Sequence, residues 1–278
     1  MENNYKSLAV KLSLWAQGKG IPGASPEWLT RLAKKVADSK NPKLIEQFIK
    51  TYKIDYTQAT RCSAKNTAKN CAVKYGTLNE FFTRKIPYTV DSSSDLVSPA
   101  TCKCMVFNEF QDSKIWVKGQ KWSASRLLRM PVTYDKYAVG IFRLRPADYH
   151  RFHSPVRGVI AFVNEIDGGY LSVDPEIVRK RNVFTENNRV VVGIVSPVYG
   201  LCYYVAVGAA GVGRVRITKN VNDSVNTGDE LGVFEFGGST VVVLIPANAN
   251  GHTWRSDLIA NSLAEKETYV TVGTRVGL

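Results

Sequence analysis

The chain has 278 residues, of which 44% are hydrophobic and 22% charged, and its net charge is +13. That composition is typical of a soluble globular protein and excludes a disordered one, and the length allows one large core or a core with a smaller appended region. No apolar run approaches the ~20 residues of a membrane-spanning helix, and the N-terminus lacks the apolar stretch and small-residue cleavage site of a signal peptide, so we expect neither.

The positive charge is concentrated in the first 84 residues, which hold 15 Lys and Arg against 6 Asp and Glu. Residues 85–278 hold 22 against 18. A basic region that also contains aromatic residues predicts a polyanionic partner, either nucleic acid or an anionic membrane surface. Charge alone does not separate these two partners, and a basic face that is merely solvated remains a third interpretation.

The same region carries amphipathic helical patterns. Apolar residues at helical spacing predict a first helix over residues 5–16. Pro26 and Pro42 each suit a first helical position and predict a second and a third helix, and Thr77 predicts the cap of a short fourth one. Short helices with Trp, Leu and Lys can lie in a membrane interface or pack on a core, and the residues leave both interpretations open.

From about residue 96 the pattern changes to short apolar or alternating runs separated by Gly, Pro, Asn and Asp, which predicts antiparallel strands. The runs cover residues 105–110, 115–118, 137–144, 156–163, 190–195, 201–207, 213–217, 229–236, 241–245 and 267–276. With helices in front, strands behind and no βαβ repeat, the chain is predicted to be α+β. We expect a helical, basic, membrane-associating region over residues 1–84 and a β-rich domain over residues 85–278.

Five cysteines stand at positions 62, 71, 102, 104 and 202. They are odd in number and lack metal-ligand spacing, because Cys102 and Cys104 are too close together for a usual zinc knuckle. The pattern therefore favours free thiols in a reducing compartment and no metal site.

A Gly-Gly-Ser-Thr sequence at residues 237–240 precedes an apolar β-branched run. Paired glycines permit a tight or strained backbone, and the run favours a buried strand. The hydroxyl of Ser239 lies close to the carbonyl of Gly238, and it can attack its own peptide bond if a base removes its proton and the oxyanion is bound. Taken alone, the sequence is more typical of an ordinary hairpin turn.

Two of the three histidines, His150 and His153, stand three residues apart. Histidine titrates near neutrality, so the pair suits proton transfer. In an extended segment the two rings point to roughly opposite faces, whereas in a turn they converge. A metal site is the weaker interpretation because a third ligand is not evident nearby, and histidines that only make local hydrogen bonds are the structural alternative.

Eight blocks of sequence follow one another in a fixed order: residues 75–84, 96–100, 116–120, 141–155, 184–190, 205–209, 228–232 and 237–241. In these blocks, which include Asp148-Tyr149-His150-Arg151-Phe152-His153, the chain closely resembles the phosphatidylserine decarboxylase family of pyruvoyl-dependent enzymes. The resemblance runs through most of the chain from about residue 75. One such block alone is weak evidence of a resemblance, but the series of blocks in this order is highly specific to the family.

The resemblance implies a precursor that cuts itself between Gly238 and Ser239 into chains of residues 1–238 and 239–278, leaving a covalent pyruvoyl group at residue 239. In this family the pyruvoyl carbonyl forms a Schiff base with the amine of phosphatidylserine and takes up the electrons released with CO2, which gives phosphatidylethanolamine. The family's base for self-cleavage corresponds to His153, and the acid that reprotonates the carbanion corresponds to His150. No metal is implied.

The resemblance also favours peripheral association with an anionic membrane surface over nucleic acid as the role of the basic helices, and it allows a homodimer. One position departs from the family. Its Ser-Pro-Ala-Asp-Gly sequence is Ser98-Pro99-Ala100-Thr101-Cys102 here, so Thr101 replaces the aspartate that orients the cleavage histidine as in a Ser-His-Asp triad.

The departure leaves three hypotheses. The first is an active phosphatidylserine decarboxylase, in which slow or differently assisted maturation suffices because cleavage happens once per molecule. The second is an uncleaved, non-catalytic homologue that binds a membrane or a partner. The third is a pyruvoyl-dependent decarboxylase of a soluble amino acid.

Overall fold

A computed structural model describes residues 26–109, 123–134, 136–173, 178, 181–211, 213–247 and 253–278. In these residues a group of short helices precedes a large antiparallel β-sheet, so the predicted α+β class is confirmed. The predicted helix over residues 5–16, the predicted strand over residues 115–118 and the block at residues 116–120 lie outside the described residues. None of the helices in the described ranges is both long and apolar enough to cross a membrane.

The N-terminal helices turn their apolar sides towards a core of their own. The helices and one 3₁₀ turn are α1 Pro26–Ala37, α2 Pro42–Tyr52, the turn Tyr56–Gln58, α3 Ala68–Ala72 and α4 Leu78–Phe82. Asn41 caps α2 by accepting a hydrogen bond from the Lys43 amide at 3.0 Å. The apolar face of α2, including Ile45 and Phe48, is buried in this core. In α2, therefore, the apolar face packs on protein, and what faces outward is its polar and basic side.

The helical core also corrects one sequence-based expectation. Cys62 and Cys71 form a disulfide with a Cα–Cα distance of 5.4 Å, so they are not free thiols. A turn brings them together, in which Asn66 accepts a hydrogen bond from the Ser63 amide and donates its own amide proton to the Ser63 carbonyl. Cys102, Cys104 and Cys202 are free and buried.

The strands are β1 Cys102–Phe107, β2 Tyr137–Leu144, β3 Arg151–His153, β4 Gly158–Ile166, β5 Arg189–Ser196, β6 Gly200–Gly211, β7 Val215–Ile217, β8 Ser224–Val225, β9 Glu230–Phe234, β10 Gly237–Pro246 and β11 Thr268–Val270. Eight of them form a sheet in the order β11-β1-β2-β10-β6-β5-β4-β8, and β3, β9 and β7 form a second sheet in the order β3-β9-β7. The pairs are antiparallel throughout these two sheets. Three further helices, α5 Ala124–Leu128, α6 Val183–Glu186 and α7 Ser256–Leu263, complete the described elements.

Strand β10 lies at the centre of the large sheet, between β2 and β6. Because side chains alternate along a strand, Val241 and Val243 join one apolar cluster while Val242 joins another on the opposite face. The small sheet covers the first face, where Phe152 and Phe234 pack with ring centroids 4.8 Å apart. Both faces of the strand that begins with the Gly-Gly-Ser-Thr sequence are therefore buried.

That sequence is not the hairpin turn that its glycines favour. Residues 237–240 are the first residues of β10, and Ser239 pairs with Leu144 on one side and with Gly208 on the other. The register shifts between Gly237 and Ser239, as at a β-bulge. The close strand approach at this point requires glycine at position 211 of the neighbouring strand, because a Cβ at Gly211 would lie 2.4 Å from the Gly237 Cα.

Candidate active site

Ser239 combines full burial with an uncommitted hydroxyl. Its exposed fraction is 0%, and its Oγ has no hydrogen-bond partner among the described residues. Gly238, immediately before it, is only partly buried. Since a buried polar group is nearly always hydrogen-bonded in a folded protein, the unpartnered hydroxyl makes Ser239 a candidate for chemistry, although the Oγ1 of the neighbouring Thr240 is unpartnered as well.

Each of the three residues at positions 234–236 donates its backbone amide to a different part of the chain. Phe234 donates to the His150 carbonyl and Glu235 to the Arg214 carbonyl, both at 2.9 Å. Phe236 donates to the Asn79 side-chain oxygen, also at 2.9 Å. The segment that leads into Gly238 and Ser239 is thereby fixed to the residues that directly precede β3 and β7 and to helix α4.

His153 ends β3 and is held as a neutral base. Its Nδ1 lies 2.9 Å from the Gly228 carbonyl oxygen, an acceptor, so Nδ1 carries the proton and Nε2 the lone pair. The Tyr149 hydroxyl lies 3.3 Å from Nε2 and donates to it. Burial lowers the pKa of His153, against the opposing effects of the Gly228 carbonyl and the charge of Glu230. The ring is therefore neutral at pH 7 and has a basic nitrogen.

Thr101 does not take over the role of the missing aspartate. Its Oγ1 accepts a hydrogen bond from the Val272 amide at 3.2 Å, and no hydrogen bond joins it to the His153 ring in the described structure. Its segment touches the histidine only through the backbone, where the His153 amide donates to the Pro99 carbonyl at 2.8 Å. The group that orients the ring is the Gly228 carbonyl.

The turn that presents this carbonyl requires glycine. Gly228 has a φ of +86°, and a Cβ there would lie 2.4 Å from a methyl carbon of Val90. Two backbone hydrogen bonds fix the turn to the residue after His153: Gly228 donates to the Ser154 carbonyl at 2.8 Å, and Ser154 donates to the Asp229 carbonyl at 2.7 Å. The Tyr88 hydroxyl also donates to the Gly228 carbonyl, at 3.2 Å. The acceptor for His153 is thus placed by several contacts.

His150 is buried like Ser239 and has one uncommitted nitrogen. Its Nδ1 donates to the Asp148 carbonyl at 2.9 Å, and its Nε2 has no partner among the described residues. The Phe82 ring lies against it, with centroids 3.8 Å apart. Burial and the nearby positive charge of Arg84 lower the pKa of His150 to about 3. His150 is therefore neutral at pH 7, with its proton on Nδ1 and its lone pair on Nε2.

Arginines on both sides fix the loop that carries His150. Arg145 binds the Asp148 carboxylate through its side chain at 2.8 Å and through its amide at 2.7 Å. The buried Arg84 donates to the Ala147 carbonyl at 3.0 Å. Arg151 joins β3 to helix α4 and to β9, since it donates to the Thr83 carbonyl at 2.9 Å and to Glu230 at 2.7 Å. These contacts leave His150 little freedom to move.

The sequence-predicted residues do not form a hydrogen-bonded chain in the described structure, and among the two histidines only His150 is hydrogen-bonded to the segment that leads into Ser239. The His150 carbonyl binds Phe234, five residues before Ser239, whereas the Ser239 hydroxyl is not bonded to either histidine in the described structure. Each histidine is held through Nδ1 by a separate backbone carbonyl. Among the described residues, no group of three His, Cys, Asp or Glu side chains is placed to hold a metal ion.

Sequence reasoning did not single out four residues of this site: Asn79, Phe82, Tyr149 and Gly228. All four stand in the colinear blocks at residues 75–84, 141–155 and 228–232. Membership of those blocks was the available signal, but it did not indicate which side chain or carbonyl touches which histidine.

Comparisons with known proteins agree with the resemblance found in the sequence. A family model described as phosphatidylserine decarboxylase matches residues 78–278. Phosphatidylserine decarboxylase proenzyme 2 of Saccharomyces cerevisiae is 41% identical over 259 residues, which cover 89% of this chain and 22% of the yeast protein. The Oryza sativa protein of the same name is 36% identical over 282 aligned positions, covering 96% of this chain and 43% of the rice protein.

A bacterial relative is closer in length. Phosphatidylserine decarboxylase proenzyme of Clostridium tetani is 33% identical over 250 residues, covering 86% of this chain and 80% of the bacterial one. The chain thus spans less than half the length of the yeast and rice relatives but most of the clostridial one. On the match over residues 78–278 and these identities, the chain belongs to the phosphatidylserine decarboxylase family.

Proposed function

We propose that this chain is a phosphatidylserine decarboxylase proenzyme that cleaves itself between Gly238 and Ser239 and then converts phosphatidylserine to phosphatidylethanolamine and CO2. The observation that carries the proposal is the fully buried Ser239 hydroxyl without a partner, directly after the candidate scissile carbonyl. The family's proenzymes give the reaction class.

Self-cleavage needs a nucleophile, a base and a fixed carbonyl. Ser239 Oγ attacks the Gly238 carbonyl carbon, the peptide C–N bond breaks, and an ester forms in its place. His153 suits the role of base, because its Nδ1–H is tied to Gly228 and its lone pair is on Nε2. The ester then eliminates to leave Gly238 as a carboxylate, and hydrolysis with loss of ammonia gives a pyruvoyl group at residue 239.

The surroundings of residue 239 fit that group. Ser239 lies between Leu144 and Gly208 of the neighbouring strands, so a small, uncharged carbonyl group meets no charged side chain from either paired residue. When present, a pyruvoyl group supplies an electron sink for the electrons that remain when CO2 leaves. The chain's own residues must bind the substrate, exclude water and move the protons.

His150 is suited to carry one proton through the reaction. The substrate amine enters as an ammonium and must lose a proton before it acts as a nucleophile. The uncommitted His150 Nε2 is free to accept it, but because the pKa of His150 in the free site is about 3, the transfer requires the negative charge of bound phosphatidylserine to raise that pKa. The same proton then returns to the carbon that has lost CO2. The bond from Nδ1 to the Asp148 carbonyl keeps Nε2 as the working nitrogen in both steps.

The helical region is proposed to bring the enzyme to an anionic membrane surface as a peripheral protein. Lys34, Lys35, Lys53 and Lys65 are all exposed there, while the apolar face of α2 is buried. Attraction to the membrane is therefore mainly electrostatic for the described helices, and vesicle binding should weaken as salt rises. Binding that salt leaves unchanged would contradict this part of the proposal.

Mass spectrometry of the purified full chain tests the central claim. The expected result is two chains, residues 1–238 and 239–278, with a blocked residue 239, and an intact single chain for Ser239→Ala. An uncleaved wild-type chain would instead establish the non-catalytic homologue. Assays with phosphatidylserine vesicles and with free serine then separate a lipid decarboxylase from one that acts on a soluble amino acid, and CO2 release from free serine alone would overturn the lipid substrate.

A further inference from the structure

We propose that Asn79 is a positioning residue for self-cleavage, which it promotes by holding the chain just before the scissile bond. This inference rests on the proposed function. Helix α4 touches both sides of the candidate site, since Asn79 binds the Phe236 amide and Phe82 lies against the His150 ring. No other side chain among the described residues accepts a hydrogen bond from the backbone of residues 234–238.

The hydrogen bond joins parts of the chain that are 157 residues apart. Asn79 Oδ1 accepts from the Phe236 amide at 2.9 Å. The Phe236 ring is held on the same side by Phe82 and Phe48, with centroid distances of 5.2 and 5.8 Å. Phe236 is thus fixed through its backbone by Asn79 and through its ring by two aromatic residues of the helical region.

Helix α4 is itself firmly capped, so Asn79 is a fixed point. The Thr77 hydroxyl accepts from the Glu80 amide at 3.1 Å, and the Glu80 carboxylate accepts from the Gly76 amide at 2.6 Å. This is a variant of the capping box that the sequence predicts, in which the glutamate binds one residue earlier than usual. The capped turn presents the Asn79 oxygen to the incoming segment.

Fixing Phe236 matters because only Gly237 separates it from Gly238. Two glycines in a row add backbone freedom where the attacked carbonyl must stay still, and small errors in the position of reacting atoms slow a reaction strongly. The bonds from the amides of residues 234 and 235 go to backbone carbonyls. Of these three hydrogen bonds, the one to Asn79 is therefore the one that a side-chain substitution can remove.

The test follows cleavage of newly folded full-length chains over time by mass spectrometry. Asn79→Leu and Asn79→Ala remove the acceptor, Asn79→Asp keeps a side-chain oxygen, and Asn70→Ala on the exposed surface of α3 is the matched control. We expect about tenfold slower cleavage for the first two, which corresponds to one lost hydrogen bond. Asn79→Asp and Asn70→Ala should cleave at close to the wild-type rate, and the pH profile of cleavage should keep its shape, because the base is unchanged.

A second readout does not depend on cleavage. In Ser239→Ala chains, hydrogen exchange at the Phe236 amide should be faster with Asn79→Leu than with Asn79→Asp. Equal exchange, or equal cleavage rates for wild type and Asn79→Leu, would overturn the inference and leave the proposed function standing. Equal slowing by Asn79→Leu and Asn79→Asp would also overturn it, because it would indicate a packing effect. A wild-type chain that never cleaves would overturn the proposed function itself and the inference with it.

Discussion

Buried His150 should make the folded protein sensitive to acid. Burial and the charge of Arg84 lower its pKa from 6.5 to about 3. The folded state therefore binds fewer protons than the unfolded chain between these two pH values. The stability that neutral His150 contributes is complete above pH 6.5 and is lost as the pH falls towards 3. At about pH 4.5 the loss is about 3 kcal/mol, since each pH unit below the unfolded pKa costs roughly 1.4 kcal/mol.

Denaturant unfolding at about pH 7.5 and about pH 4.5 measures this loss. Chains carrying Ser239→Ala stay uncleaved and allow a two-state comparison, with and without His150→Gln. Between the two pH values, the chain with His150 should lose about 3 kcal/mol more than the His150→Gln chain. His153 and the carboxylates are present in both chains, so their contributions cancel. Parallel losses that agree within about 0.5 kcal/mol would refute the claim that burial keeps His150 neutral.

Three further predictions concern the base and the helical region. Gly228→Ala should slow self-cleavage and destabilise the fold by about 1–3 kcal/mol, because its φ of +86° disfavours a side chain and its Cβ would meet Val90. The Thr101→Val chain should cleave within about twofold of the wild-type rate in the same time course. Its free energy of unfolding should fall by about 1 kcal/mol, because the hydrogen bond from the Val272 amide is lost. A complete block of cleavage would show that Thr101 acts on His153. Reduction of the disulfide, whose cysteines are nine residues apart, should lower the free energy of unfolding by about 2.5 kcal/mol, whereas an unchanged denaturation midpoint would contradict a stabilising role.

Where one local pattern determines an element, the sequence predicted it well. The apolar run at residues 137–144 is β2 with the same bounds, because both faces of this strand are buried. Pro42 begins a helix, as the sequence predicts, and the four buried residues of this helix lie at helical spacing. Thr77 caps α4 as expected. In each case propensity, capping and burial favour the same structure.

Features that depend on distant residues were predicted poorly or not at all. The Gly-Gly-Ser-Thr sequence by itself is more typical of a turn, and it is part of a strand because it pairs with distant residues such as Gly211. Strand β3 has only three residues and a register shift, so it has no readable period. The hydrogen bond from His153 to the Gly228 carbonyl joins residues that are 75 positions apart in the chain. The sequence does not reveal it, because every residue type has a backbone carbonyl.

Under the proposed function, that same carbonyl offers a physical reason why Thr101 need not abolish self-cleavage. In a serine-protease triad, replacing the aspartate by asparagine costs about 10⁴ in rate chiefly because the histidine takes the wrong tautomer. A backbone carbonyl only accepts hydrogen bonds, so Gly228 forces the proton onto Nδ1 of His153 and leaves Nε2 basic, as a carboxylate would. What the carbonyl lacks is a full negative charge to stabilise the protonated ring. For the proposed self-cleavage, we therefore expect the missing aspartate to slow a reaction that each molecule performs once, while His153 keeps its basic nitrogen.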